Sequence, residues 1–116
     1  MPHRDSFFRA IAELEQALDA NAERAELMKT RIAQIRRERE AGRSYREIVD
    51  TDDDPLVVRL ITESSRALDE TGARVRRTEA LALHEEGMTM EQIAAKFGVT
   101  RQRVSGLLRE ARADPR

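Results

Sequence analysis

From residue 6 to about residue 40 the chain contains neither Gly nor Pro, and apolar positions recur in alternating steps of four and three. Phe7, Ile11, Leu14, Leu18, Ala25, Met28, Ile32 and Ile35 share this stripe, with the polar Asn21 in its middle. A 3.5-residue period marks a helix that buries one seam against a neighbour. Such a helix runs roughly 50 Å at 1.5 Å per residue, and it needs a covered stripe to hold in water. Flanking charges choose the partner's direction. A parallel in-register pair sets Arg24 against Lys29 and Arg31 against Arg36, both repulsive. An antiparallel pair centred near Glu23 matches Ile11 with Ile35, Leu14 with Ile32 and Leu18 with Met28, and brings Glu15 near Lys29. Antiparallel packing is therefore expected, against a second chain or against this chain's own second helix.

Gly42 is expected to end that helix, and Ser44 with Glu47 has capping-box spacing ahead of a short helix. An acidic loop follows at residues 50–54, and Asp54-Pro55 is a good helix start. Val57, Ile61, Leu68 and Val75 then predict a second long helix over residues 55–86, with Gly72 expected to break it near residues 70–73. The segment EAGRSYREIV also echoes EEGMTMEQIA further on, although a capped turn explains it equally well.

The densest signal lies at residues 89–108, TMEQIAAKFGVTRQRVSGLL. Gly87 closes the preceding helix and Thr89 sits where an N-cap belongs. Ile93 and Phe97 share a buried stripe, and Ala94 is small where two helices cross. Gly98 can take the positive φ of a sharp turn. Val99 is expected to plug that turn and Thr100 to cap a second helix. Val104, Leu107, Leu108 and Ala111 form its inward face, leaving Arg101, Gln102, Arg103, Ser105 and Arg109 outward with Gly106 among them. This is the pattern of a helix-turn-helix, a unit that places one helix in the DNA major groove. Arg can make a bidentate contact to guanine and Gln to adenine. Thr89 and Thr100 are caps first, and their hydroxyls can also reach phosphate. Lys96 and Arg109 suit phosphate contacts as well as they suit plain surface charge. Gly106 fits either a close approach to DNA or a tolerated cost.

VTRQRV (residues 99–104), preceded by TMEQIAAKFG, resembles the region-four helix-turn-helix of bacterial primary sigma factors. It is also similar to resolvase tail domains and to small actinobacterial helix-turn-helix proteins. The resemblance covers about a quarter of the chain. It implies that Arg101 and Arg103 fall on promoter-contacting positions. Gln102 stands where sigma factors usually carry Glu, and Ser105-Gly106 replaces a typical Arg-Gln pair, so the target sequence differs. A sigma factor's promoter-melting region and a resolvase's catalytic domain have no counterpart here.

Composition narrows the field. In 116 residues, aromatics are 3% and charged residues 37%, which suits long helices with solvated faces better than a large core. No cysteine is present, which excludes disulfides and thiolate metal sites. No apolar run could span a membrane, and the N-terminal residues lack a signal-peptide layout, so a cytoplasmic, nucleoid-associated location is expected. The net charge is -1, yet from Gly87 onward six basic residues face three acidic ones, and the positive end coincides with the reading unit. Arg greatly outnumbers Lys and Ala is abundant, as in a GC-rich bacterial genome. His3 and His84 have no ligand pattern, and the aspartate run lacks the Gly and terminal Glu of a calcium loop. No nucleophile-base pair or phosphate-cradling loop occurs, so no catalytic residue, metal or cofactor is expected and the chain does not read as an enzyme.

The sequence thus predicts an all-α fold, a long antiparallel helical hairpin or coiled coil carrying a C-terminal helix-turn-helix. Residues 1–73 would be a dimerisation region and residues 74–116 the DNA-binding domain. The expected function is a sequence-specific transcriptional regulator, a homodimer that reads double-stranded DNA with residues 101–112. The alternatives are a non-specific nucleoid protein that bridges duplexes, or an adaptor that binds RNA polymerase or a sigma factor.

Overall fold

The structure is a computed structural model that describes residues 2–50 and 56–114. Among the described residues five helices follow in order: α1 (Pro2–Glu40), α2 (Tyr45–Asp50), α3 (Val57–Glu85), α4 (Met90–Phe97) and α5 (Arg101–Ala113). No strand occurs among the described residues, and α1 and α3 run antiparallel as the hydrophobic pattern predicts. The Asp54-Pro55 helix start, most of the acidic loop, His3 and Arg116 lie outside the residues whose side chains are described. Gly72 does not break α3, which continues through it to Glu85. A mid-helix glycine costs about 1 kcal/mol relative to alanine. Burial of the apolar Ala80, Leu81 and Ala82 along the same helix offsets that penalty.

The chain divides into two compact units, Ala17–Leu68 and the pair of segments Met1–Gln16 with Asp69–Arg116. In the first, polar side chains stitch α1 to α3. Asn21 Nδ2 donates to the Ser64 carbonyl at 3.2 Å and Arg24 Nε to the Ser64 hydroxyl at 2.9 Å. Arg24 Nη2 also donates to Asn21 Oδ1 at 2.6 Å. The heptad stripe is therefore split at the seam with α3: Asn21, Ala25, Met28 and Ile35 are half-buried, while Leu18 and Ile32 are exposed. Half of Leu18 and 39% of Ile32 remain exposed, because α1 is turned so that Asn21 and Arg24 face Ser64. Gly42, at φ 95°, ends α1 as expected. Ser44 caps α2 by accepting from the Glu47 amide at 3.1 Å. The reciprocal half of the box differs, since Glu47 Oε1 accepts from the Ser44 hydroxyl at 3.0 Å. Ile48 is the buried anchor of α2.

In the other unit the segment of α1 buries Ser6 and Ala10. The Arg74 guanidinium, on a residue only 6% exposed, pairs with Glu13. The main core joins the end of α3 to α4 and α5. Ala80, Leu81, Ile93, Ala94, Val104, Leu107, Leu108 and Ala111 form one buried cluster, with Leu83, Met88, Met90 and Phe97 packed against it. This trihelical core holds the outer face of α5 in place.

Candidate nucleic-acid interface

Two turns and their caps position α5. Gly87 takes φ 103° at the end of α3, a conformation open to glycine, and the Met88 amide donates back to the Leu83 carbonyl at 3.0 Å. Thr89 then opens α4 with a complete capping box: Gln92 N–H donates to Thr89 Oγ1 at 3.1 Å, and Thr89 N–H to Gln92 Oε1 at 2.9 Å. At the second turn Gly98 is left-handed, φ 69° and ψ 34°. The Val99 amide returns to the Ala94 carbonyl at 3.0 Å, which satisfies a helix-end acceptor. Thr100 caps α5 by accepting from the Arg103 amide at 3.0 Å.

Each expected inward residue of α5 is buried, with Val104, Leu107, Leu108 and Ala111 all at 5% exposure or below. Arg101, Gln102, Arg103, Ser105 and Arg109 are exposed, and Gly106 is half-buried between them. Thr89 and Thr100 are also exposed, so either hydroxyl can still donate outward. Val99 is the exception to the expected pattern. It does not plug the turn; it stays 37% exposed and lines a shallow notch of about 210 Å³ with Val75, Phe97 and Leu107, rimmed by the charged Arg76, Glu79 and Arg103. Phe97 fills the inner side of that turn instead, packed against the core.

Some of the geometry lies beyond sequence pattern. Arg101 Nε meets Glu91 Oε1 at 2.8 Å and Arg103 Nη1 meets Glu110 Oε1 at 3.4 Å, all four side chains about half exposed or more. Exposed pairs of this kind contribute about 0–1 kcal/mol, so they orient the guanidinium groups without tying them up. Arg77 Nη2 holds Asp114 Oδ2 at 2.7 Å, with side chains only 17% and 12% exposed, and thereby clamps α3 to the end of α5. The i,i+7 spacing of Arg103 and Glu110 is a usable signal on one helix, whereas Arg77 and Asp114 lie 37 residues apart with no local signature. Among the described residues no helix is long and apolar enough to cross a membrane, and no cluster of three metal-ligating side chains occurs.

Residues 71–114 match the model of a family of homeodomain-like domains. The match spans the end of α3 with α4 and α5, the segment whose turns, caps and core have the helix-turn-helix geometry, and it marks this part of the chain as a helix-turn-helix DNA-binding domain. No curated protein and no solved structure matches the chain.

Proposed function

We propose that this chain is a sequence-specific transcriptional regulator of the bacterial nucleoid, a homodimer that reads the major groove of double-stranded DNA with residues 101–112. Residues 74–116 act as the DNA-binding part and residues 1–73 as the assembly part. The observation that carries the reading is the row of exposed Arg101, Gln102 and Arg103 in the first turn of α5, above a fully buried Val104. An N-terminal turn of a second helix is the part of a helix-turn-helix that reaches base edges. There, Arg suits the guanine O6/N7 edge and Gln the adenine N6/N7 edge. Thr89, Thr100, Ser105 and Arg109 flank this row as phosphate donors. Gly106 lets the α5 backbone come close to the duplex. The likeness of residues 99–104 to sigma region four supports the same use of the same helix.

The test is a chain carrying Arg101→Ala and Arg103→Ala, compared with the parent on bound fragments selected from genomic DNA at physiological salt. The variant keeps its helicity and loses the enriched motif, and its salt dependence flattens by about one unit of slope for each phosphate it no longer neutralises. Undiminished binding by the variant overturns the assignment. Recovery of DNA without any motif favours a nucleoid-bridging protein, since a regulator prefers its site by roughly 10³ or more. No DNA recovery, with capture of RNA polymerase or a sigma factor, favours the adaptor.

A further inference from the structure

We propose that the exposed apolar face of the unit Ala17–Leu68 docks a second copy of this chain, α1 on α1 and α3 on α3, each pair antiparallel about one twofold axis. The proposal gives a surface to the homodimer in the proposed function and is tested without DNA, so that the two can fail separately.

The face follows from how α1 and α3 meet. Leu60 is buried and Ser64 and Ala67 half-buried towards α1, while Ala17, Arg24 and Arg31 are half-buried on α1. One residue further along each helix stand the exposed apolar side chains: Leu18 and Ile32 on α1, and Val58, Ile61 and Leu68 on α3. They are 50%, 39%, 69%, 50% and 46% exposed respectively. In an antiparallel pair, one step forward turns both helices' side chains to the same side, because the sense of rotation and the chain direction reverse together. The five residues therefore share one side of the pair, and among the described residues nothing covers them to the depth of a core.

That side is self-complementary, as an isologous twofold contact demands. On α1, Leu18 and Ile32 lie seven residues either side of the small Ala25. On α3, Val58 with Leu68 and Ile61 with Ser65 are each symmetric about Glu63. The two centres arise from separate helices, yet they lie within one helical turn of each other. The hydrogen bonds that place Ser64 beside Asn21 and Arg24 set residue 63 abreast of residues 22–25. A single axis across the face therefore pairs Leu18 with Ile32 of the second copy and Val58 with Leu68 of the second copy. Ala25 lets the α1 helices approach closely.

Charge selects the same direction. The exposed acids Glu15 and Asp19 precede the Ala25 centre on α1, and the exposed bases Lys29 and Arg36 follow it. Antiparallel pairing brings the acidic half of each α1 towards the basic half of the other, whereas parallel pairing sets like against like.

The experiment uses the full chain, which has no native cysteine. Sedimentation equilibrium is expected to give twice the 13.3 kDa chain mass. Ile61→Glu is expected to weaken the dimer on the order of a hundredfold while helicity persists, since the residue is half exposed within the chain. Single cysteines then read the register with a short bis-maleimide. Ala25→Cys links to its own mate. Leu18→Cys does not, because its two copies stand about 20 Å apart at 1.5 Å rise per residue. Leu18→Cys and Ile32→Cys chains refolded together do link. A monomer at high concentration, a dimer untouched by Ile61→Glu, or self-linking of Leu18→Cys each overturns the proposal. Because none of these readouts uses DNA, any of them leaves the assignment of α5 standing on its own test.

Discussion

Two glycines of the DNA-binding unit are expected to respond to alanine with opposite signs. Gly106 sits inside α5, where an added Cβ meets Arg103 Nη1 and Arg109 Nη2 at 3.9 Å, ordinary van der Waals contact with flexible groups. Gly106→Ala therefore adds no clash and removes the backbone-entropy penalty of a helical glycine, a gain of about 1 kcal/mol. Gly98 has nothing within 4 Å of an added Cβ, but its φ is +69°. Alanine there has room and the wrong backbone, so Gly98→Ala is expected to lose about 1–2 kcal/mol. The two variants should differ by about 2–3 kcal/mol although both add one methyl group. Urea unfolding followed by far-UV circular dichroism is the suitable assay, because the chain has no Trp and a single Tyr. Loss of stability in Gly106→Ala, or equal effects at both sites, refutes the reasoning. The Gly106→Ala chain also reports on function. A more stable protein with weaker DNA affinity means the α5 backbone lies against the duplex at residue 106; unchanged affinity means the glycine is merely tolerated.

Other variants probe the clamp, the core and the exposed arginines. Arg77→Ala is expected to cost about 2 kcal/mol by removing the guanidinium beside the mostly buried Asp114 carboxylate. Asp114→Ala should cost less, because a carboxylate at a helix C-terminus opposes the helix dipole; the reverse order in urea midpoints would sink this account. Ile93→Ala, at 0% exposure, should lose about 2–5 kcal/mol, against about 1 kcal/mol for Val99→Ala on the notch, and similar losses would show that Val99 is core after all. Glu91→Gln releases Arg101 from its 2.8 Å partner. It should raise DNA affinity by up to about fivefold with little change in stability, and a fall in affinity would show that the pair pre-orders Arg101 for binding.

The helix-turn-helix is legible in the sequence because each of its demands is local. Thr89 and Thr100 announce the starts of α4 and α5 through side-chain oxygens that accept amides three residues on. Gly87 and Gly98 mark ends that need positive φ, and Val104, Leu107, Leu108 and Ala111 fall on one face by helical period alone. Val99 departs from its expected place because apolarity near a turn does not say which of two neighbours points inward; Phe97, two residues back on the buried stripe, has the larger side chain and packs against the core. Gly72 departs for a different reason. Glycine propensity is a local penalty of about 1 kcal/mol, and tertiary packing along α3 overrides it. The clamp between Arg77 and Asp114 is out of reach of any local pattern, since only the folded core brings those positions together.

The long first helix shows a subtler limit. Its heptad stripe correctly announces a seam and an antiparallel direction, but a hydrophobic period fixes only that a face will be covered, not by what. Inside the chain, Asn21 and Arg24 bind Ser64, and this rotates α1 so that the seam with α3 is partly polar. Hydrogen bonds there contribute about 1 kcal/mol each at best, whereas the apolar side chains left outside would yield about 25 cal/mol per Å² if covered. Those side chains form the surface that the proposed dimer contact would cover. Leu18, Ile32, Ile61 and Leu68 are left between 39% and 50% exposed, available to the proposed contact rather than spent on the chain's own hairpin. In the proposed dimer, the stripe residues that the intrachain seam leaves exposed supply the contact between copies, and paired DNA-reading helices need such a second copy.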